Sequence, residues 1–163
     1  MNAKDAIRAN MDMGLLVLTT YVSDLGDADL LRRPAPGCNH LAWQLGHLIS
    51  SESNLVNAVC PGKGGALPAG FVEQHAKESC ASDDPAGFRT KQEYLDAFQQ
   101  VRAATIQALE QLPEAELDAP SPEGFRKRFP TVASIFTLIA GHPLMHAGQF
   151  VVVRRQLGKP VLI

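Results

Sequence analysis

The sequence predicts an all-α protein, a four-helix bundle with a long crossover between helices 2 and 3. Four long segments place apolar residues at alternating steps of four and three, and no run alternates apolar and polar residues as a half-buried strand does. About a dozen residues join the first two segments, whereas about 30 residues, from Cys60 to Arg89, join the second and third. Because a link of that length can run the whole length of a bundle, helices 2 and 3 are expected to be parallel.

Helices 1 and 2 are predicted from their apolar stripes. Helix 1 extends from about Ala3 to Leu25, and helix 2 extends from about Asn39 to Val59. The stripe of helix 1 consists of Ile7, Met11, Leu15, Leu18, Val22 and Leu25. The stripe of helix 2 consists of Leu41, Leu45, Leu48, Glu52, Leu55 and Val59. Helix 2 therefore carries one carboxylate on a face that the pattern predicts to be buried.

Helices 3 and 4 also carry signals at their ends. Thr90 and Glu93 form a capping box at the start of helix 3, and Pro113 ends that helix. Helix 4 extends from about Thr131 to Leu157, and the following Gly158 is typical of a helix C-terminus. The stripe of helix 4 consists of Ile135, Ile139, His142, His146, Phe150, Val153 and Leu157. Two histidines therefore lie on a face that is otherwise apolar.

The composition describes a single globular domain that spans residues 1–163. Of the 163 residues, 20% are charged and 45% apolar, and the formal net charge is -2. Lys and Arg are not in excess, so no nucleic-acid partner is expected. We also expect no signal peptide, membrane-spanning helix or membrane partner. Cys38, Cys60 and Cys80 fit neither a disulfide framework nor a C-x-x-C pair, which indicates a cytoplasmic protein with structural cysteines.

Two histidines of helix 4 could hold one metal ion. His142 and His146 are four residues apart, so their side chains project from neighbouring turns of the same face. His47 lies on the shoulder of the helix 2 stripe, and a facing helix could bring it up to that pair. Three neutral imidazoles leave open positions for water or substrate, and Zn, Ni and Fe all accept them. The alternative is a pair of core histidines with hydrogen-bond partners inside the bundle.

Pro143 directly follows the first of these helix 4 histidines. A zincin peptidase needs Glu at that position as its general base, so the peptidase class is excluded. Inside a helix, proline removes a backbone donor and typically kinks the axis. We predict a kink near Ile139 to Pro143 that helps to aim His142.

Two longer motifs carry a resemblance to a known family. One motif resembles the helix 2 signature of the DinB-like (DinB/YfiT) superfamily; it is the run Pro36-Gly37-Cys38-Asn39-His40-Leu41-Ala42-Trp43-Gln44-Leu45-Gly46-His47-Leu48. The other motif resembles the helix 4 signature of the same superfamily; it is the run Gly141-His142-Pro143-Leu144-Met145-His146-Ala147-Gly148-Gln149-Phe150. The match covers nearly the whole chain in order and spacing. Many members have a basic residue where Ala147 stands, and a small polar residue where His40 stands.

The resemblance implies a four-helix bundle with a crossover, often homodimeric. It also implies that His47, His142 and His146 bind a divalent metal. Characterised members include metal-dependent transferases and isomerases that use low-molecular-weight thiols such as bacillithiol, mycothiol or glutathione. The resemblance therefore implies a small-molecule substrate and a thiol cosubstrate.

Glu52 is the candidate catalytic residue. A carboxylate there could fix the tautomer of a ligand imidazole or act as a base near the ion. The alternative is a helix carboxylate that reaches solvent or pairs with an arginine. The residues alone leave both interpretations open.

The remaining polar and aromatic candidates receive structural interpretations. His40 is interpreted as a helix-start residue or as a residue that supports the ligands from outside, because about two turns of rise separate it from His47. His75 is expected at a solvated surface, Trp43 in the bundle interior and Gln149 in an interhelical hydrogen bond. The basic run from Phe125 to Phe129 is expected to be a solvated loop that could contact the carboxylates of a thiol cosubstrate.

Three functions fit these residues. The first is a metal-dependent thiol S-transferase that acts on small electrophiles. The second is a metal-dependent hydrolase with Glu52 as proton acceptor. The third is a non-catalytic bundle that binds a metal or a small ligand.

Overall fold

Four long helices dominate the computed structural model, which describes residues 1–163. They are α1 (Ala3–Val22), α2 (Leu41–Val59), α3 (Lys91–Gln111) and α4 (Val132–Gln156). Short helical turns occupy the links at Asp27–Leu30, Phe71–Gln74, Lys77–Ser79, Pro85–Gly87, Glu114–Asp118 and Glu123–Arg126. No strand is present apart from one isolated bridge between Pro120 and Thr131. The predicted all-α fold is confirmed.

A side-chain cap defines the start of each of these four helices, and that of α2 is described with the candidate metal centre. Asn2 caps α1, and Thr131 caps α4 with Ser134 as its partner. At the start of α3, the Thr90 hydroxyl accepts the backbone N–H of Glu93, and the Glu93 carboxylate accepts the backbone N–H of Thr90. The capping box predicted from the sequence is therefore formed, and it satisfies donors that the first turn leaves free.

Contacts at both ends show that α2 and α3 are parallel. Ala42 near the start of α2 lines a surface pocket with Thr90, the residue that caps α3. Just beyond the end of α2, Lys63 donates a hydrogen bond to Gln111, the last residue of α3. The link between the two helices therefore crosses the length of the bundle, as its length predicts.

The other two helices complete an up-down-down-up arrangement. Helix α1 runs antiparallel to α3, because Arg8 pairs with Glu110 at one end while Lys91 Nζ donates to the Ser23 carbonyl at the other. Helices α1 and α4 are parallel and closely packed. At Gly14 of α1, a Cβ atom would come within 2.9 Å of the Ala140 carbonyl oxygen, so the absence of a side chain there permits the close approach.

A polar layer at mid-height divides the core into two apolar clusters. One cluster surrounds Tyr94, Phe98 and Phe150, and the other surrounds Ile135 and Phe136. On each helix the change from one cluster to the other occurs at a polar or small residue. These residues are Gly14 on α1, Glu52 on α2, Arg102 and Thr105 on α3, and His142, Pro143 and His146 on α4. The central layer therefore contains Glu52, Arg102 and the two histidines of α4.

Helix α4 continues without interruption through Pro143. Proline has no N–H, so the Ile139 carbonyl lacks its usual helical partner. The kink near Ile139 to Pro143 stays a prediction. Helix α4 is also long and apolar enough to cross a membrane, although we expected no membrane-spanning helix from the sequence. Its buried face packs in the bundle core, however, and the core helices of other proteins can be equally long and apolar.

Candidate metal centre

The three histidines predicted as metal ligands lie together between α2 and α4. The side-chain nitrogens that His47, His142 and His146 offer are all within 4.8 Å of one another. The Nε2 atoms of His142 and His146 are 3.2 Å apart, and their rings lie on successive turns of α4. His47 reaches them from α2, with its ring centre 5.2 Å from that of His142. Helices α2 and α4 therefore supply a three-imidazole cluster.

Gln44 fixes which nitrogen of His146 faces the cluster. Its side-chain nitrogen donates to the Asn39 carbonyl at 2.6 Å, so its side-chain oxygen must point the other way, towards His146. That oxygen accepts a hydrogen bond of 2.8 Å from Nδ1 of His146. Because Nδ1 carries the proton, Nε2 presents its lone pair to His142, as a metal ligand requires.

Trp43 orients the imidazole of His47. The two rings are stacked, with centres 5.0 Å apart and planes 6° from parallel. The indole is itself held at its edge, where Nε1 donates to the Ala76 carbonyl at 3.1 Å. No protein group forms a hydrogen bond to either nitrogen of His47, so both nitrogens remain free for a ligand.

Burial keeps the three imidazoles in the neutral form that metals bind. Loss of solvation lowers the pKa of His142 to about 4 and, with the help of the neighbouring histidines, the pKa of His146 to about 3. It lowers the pKa of His47 as well. Three neutral imidazoles, with Nε2 of His146 left as an acceptor, fit a divalent ion, and imidazole suits Zn, Ni and Fe alike.

Glu52 belongs to the central polar layer, like His142 and His146, but its carboxylate contacts other residues. Its carboxylate accepts two hydrogen bonds from Arg102, at 2.9 Å from Nε and 2.7 Å from Nη2. Arg102 also donates to the Met11 carbonyl at 2.7 Å, which ties α3 to α1. Burial raises the pKa of Glu52, and the guanidinium of Arg102 opposes that rise. Of the two interpretations left open by the sequence, the structure shows the arginine pair.

Two histidines outside the cluster have structural partners. His40 caps α2, since its Nδ1 accepts the backbone N–H of Trp43 at 3.0 Å, which confirms its interpretation as a helix-start residue. His75 is only 3% exposed, so the expectation of a solvated surface position was wrong. Its Nδ1 donates to the Phe71 carbonyl and its Nε2 accepts from the Tyr94 hydroxyl, both at 2.7 Å. Burial lowers the pKa of His75 to about 4.

The sequence interpretation missed Gln44 and the burial of His75. A usable signal for Gln44 was its position three residues before His47, which places both on one face of α2. For His75 the signal was Gly46, because the imidazole packs where a Cβ of residue 46 would stand, 2.0 Å from Cδ2 of the ring. Gln149, proposed for an interhelical hydrogen bond, forms no hydrogen bond through its side chain.

A cleft of about 390 Å³ adjoins the histidine cluster. Its floor is one face of α2 and its wall is the crossover between α2 and α3. It is lined by Trp43, His47, Ser50, Ser51, Asn54, Leu55, Val72, His75, Ala76, Lys77 and Phe125. His47 belongs to both the cluster and the cleft, so a small molecule in the cleft lies beside the candidate metal site.

Comparisons with known proteins agree with this architecture. In a crystal structure of a conserved protein from Enterococcus faecalis, 99% of the chain aligns with 98% of this one at a TM-score of 0.71 and 18% identity, which shows a shared fold. No curated protein matches the chain. The model of the DinB superfamily matches residues 16–150, a range that contains all three histidines of the cluster. The chain belongs to the DinB superfamily.

Proposed function

We propose that this protein is a divalent-metal-dependent thiol S-transferase that acts on small electrophiles. The observation that carries the proposal is the junction of three neutral imidazoles with an open cleft at His47. A closed structural site would surround its ion with protein ligands, whereas three protein ligands beside a cleft are typical of catalytic sites. Membership of the DinB superfamily supports the same proposal.

The chain's residues have distinct parts in the proposed reaction. A divalent ion at the cluster would supply positive charge that favours the reactive thiolate form of a cosubstrate. His47, His142 and His146 would hold that ion, and Gln44 would keep His146 in the correct tautomer. Trp43 would keep His47 turned towards the cluster. The apolar part of the cleft would accept the electrophile and exclude water from it.

The hydrolase alternative has less support. It requires a proton acceptor next to the ion, and both carboxylate oxygens of Glu52 accept hydrogen bonds from Arg102 instead. No acidic side chain lines the cleft. Attack by a thiol needs no such base once the thiol is deprotonated, which favours the transferase.

A turnover assay tests the proposal. The protein, loaded in turn with Zn, Ni or Fe, is incubated with bacillithiol, mycothiol or glutathione and a panel of alkylating electrophiles. We expect loss of free thiol that depends on the metal, disappears with a chelator and is absent in His142→Ala. If a metal-loaded protein turns over none of these pairs, the non-catalytic binding bundle replaces the transferase.

The proposal also covers the cellular compartment and the oligomeric state of the protein. The three cysteines are free, which supports a reducing cytoplasm. Exposed apolar side chains on α1 (Met13, Leu16) and α4 (Met145, Val152) support a homodimer rather than a nucleic-acid or membrane partner. Analytical ultracentrifugation is expected to give twice the mass of the chain, and a monomer at micromolar concentration would contradict the dimer.

A further inference from the structure

The cleft beside His47 has a specific distribution of charge. Of its lining residues, Lys77 is the only one with a fixed charge, and no Asp or Glu is among them. The ammonium of Lys77 is exposed and forms no ion pair or hydrogen bond within the protein. The cleft therefore presents a positive charge that no ion pair holds, since Glu73 and Glu78 of the same segment neither pair with Lys77 nor line the cleft.

Basic residues extend this charge beyond the cleft. Phe125 lines the cleft, and Arg126, Lys127 and Arg128 follow it directly in the chain. Arg126 donates to the Ser121 carbonyl, whereas Lys127 and Arg128 are exposed and have no partner in the protein. Because they follow the cleft-lining Phe125 closely in the chain, they add positive charge near the cleft, which attracts anions although the chain as a whole is slightly acidic.

The floor of the cleft offers further unpaired donors. Trp43, His47, Ser51 and Asn54 lie at steps of four, four and three along α2, so they share one face. The Ser51 hydroxyl and the Asn54 side-chain amide form no hydrogen bond within the protein, whereas the neighbouring Ser50 donates to the Gly46 carbonyl at 2.6 Å. His47 and Asn54 are about 10 Å apart along the helix axis.

The rest of the lining is apolar and aromatic. Leu55, Val72, Ala76 and Phe125 contribute side chains to the cleft together with the indole of Trp43. Such a surface favours a flat or branched hydrocarbon group. A ligand complementary to the whole cleft therefore combines an apolar body with one anionic group.

We propose that the cleft selects small molecules that carry a carboxylate on an apolar or aromatic body, with Lys77 as the specificity-determining residue. The carboxylate accepts hydrogen bonds from Lys77 and from the free donors of Ser51 or Asn54, and the apolar body packs against Trp43 and Phe125. This inference deepens the proposed function, because it names the class of molecule presented to the histidine cluster. The binding itself requires no turnover.

The sole tryptophan of the chain, Trp43, provides the probe. Its fluorescence is followed while the full-length protein is titrated with naphthylacetate or with the uncharged naphthylacetamide, and isothermal calorimetry checks the affinities. Both titrations are done on the zinc-loaded and on the chelator-treated protein, since a carboxylate can also bind an ion directly. We expect the carboxylate to bind about threefold to tenfold more tightly than the amide in both forms.

Two variants test whether Lys77 itself, rather than the net charge of the protein, causes the preference for the carboxylate. In Lys77→Gln we expect the preference for the carboxylate to disappear while the amide binds as before. Lys63→Gln removes the same charge from a position just beyond the C-terminal end of α2, outside the cleft, and is expected to keep the preference. Equal affinities for carboxylate and amide in the unmodified protein, no binding of either, or a preference that survives Lys77→Gln would overturn the inference.

The proposed transferase activity and the proposed carboxylate-binding cleft can be rejected independently of each other. Absence of turnover with every thiol, together with carboxylate selectivity at Lys77, would reject the transferase and leave the binding site. Metal-dependent turnover without any carboxylate preference would reject the binding site and leave the transferase.

Discussion

Gln44 illustrates how one side chain prepares a binding site. A neutral histidine has two tautomers, and only one of them directs the lone pair of Nε2 at the cluster. The bond from His146 to Gln44 selects that tautomer, and the Asn39 carbonyl orients Gln44 in turn. The ligand geometry of α4 thus depends on a residue of α2.

Substitution of Gln44 tests this dependence. We expect Gln44→Leu to weaken zinc binding by about 10- to 100-fold, measured by competition with a chromophoric chelator. Gln44→Glu keeps an acceptor for Nδ1 of His146 and should retain most of the affinity. Gln149→Leu on α4 serves as the control, since the side chain of Gln149 forms no hydrogen bond within the protein. An unchanged affinity in Gln44→Leu would remove Gln44 from the site.

Gly46 and His75 form a second close contact at the residue scale. Any Cβ at position 46 would collide with the imidazole of His75, which is locked between Phe71 and Tyr94. We expect Gly46→Ala to lower the free energy of unfolding by about 1–3 kcal/mol, measured by urea denaturation. In contrast, Gly148→Ala meets nothing within 4 Å and should stabilise α4 by about 0.5–1 kcal/mol. Equal effects of the two substitutions would contradict the packing of His75 on α2.

At the scale of the helices, the ion pair of Glu52 and Arg102 joins α2 to α3, and Arg102 reaches α1. A buried pair adds little net stability over an apolar pair, but removal of one member leaves an unpaired buried charge. The pair therefore links three helices through one buried side chain, Arg102.

Glu52 substitutions distinguish a structural residue from a catalytic one. We expect Glu52→Ala to reduce the free energy of unfolding by about 3–5 kcal/mol, whereas the double variant Glu52→Leu with Arg102→Leu recovers most of the loss. Urea unfolding curves provide both values, and metal content is measured on the folded fraction. Full stability combined with loss of bound metal in Glu52→Ala would show that the carboxylate serves the ion instead.

Much of each element could be predicted from the sequence. The capping box at Thr90, the parallel course of α2 and α3 and the meeting of His47 with the α4 histidines all follow from local patterns and link lengths. The partner of Glu52 could not be predicted, because a buried carboxylate on a stripe is equally compatible with an ion, solvent or an arginine. The burial of His75 could not be predicted either, since it depends on how the crossover folds back onto Gly46.

At the scale of the whole molecule, every histidine is held in the neutral form. Burial lowers the pKa of His40, His47, His75, His142 and His146. Because each histidine has a lower pKa in the folded chain than in the unfolded chain, the unfolded chain binds more protons than the folded chain as the pH falls. The resulting stability is present above about pH 6.5 and is lost towards pH 4.

We therefore expect acid sensitivity in the metal-free protein. With a chelator present, the free energy of unfolding should fall by roughly 2–5 kcal/mol from pH 7 to about pH 5, measured by urea denaturation at each pH. His75→Gln, which can keep both hydrogen bonds of that position but does not titrate, should show a shallower decline. A stability that stays flat over this range would contradict the neutral, buried state of the histidines.

The central claim is that α2 and α4 together hold one divalent ion. Elemental analysis of the untagged protein, purified from metal-replete cells beside His142→Ala, tests this claim most directly. We predict about one equivalent of Zn, Ni or Fe per chain in the unmodified protein and a large loss in the variant, whose helical circular dichroism should be retained. A folded, unmodified protein without metal under these conditions would contradict the claim.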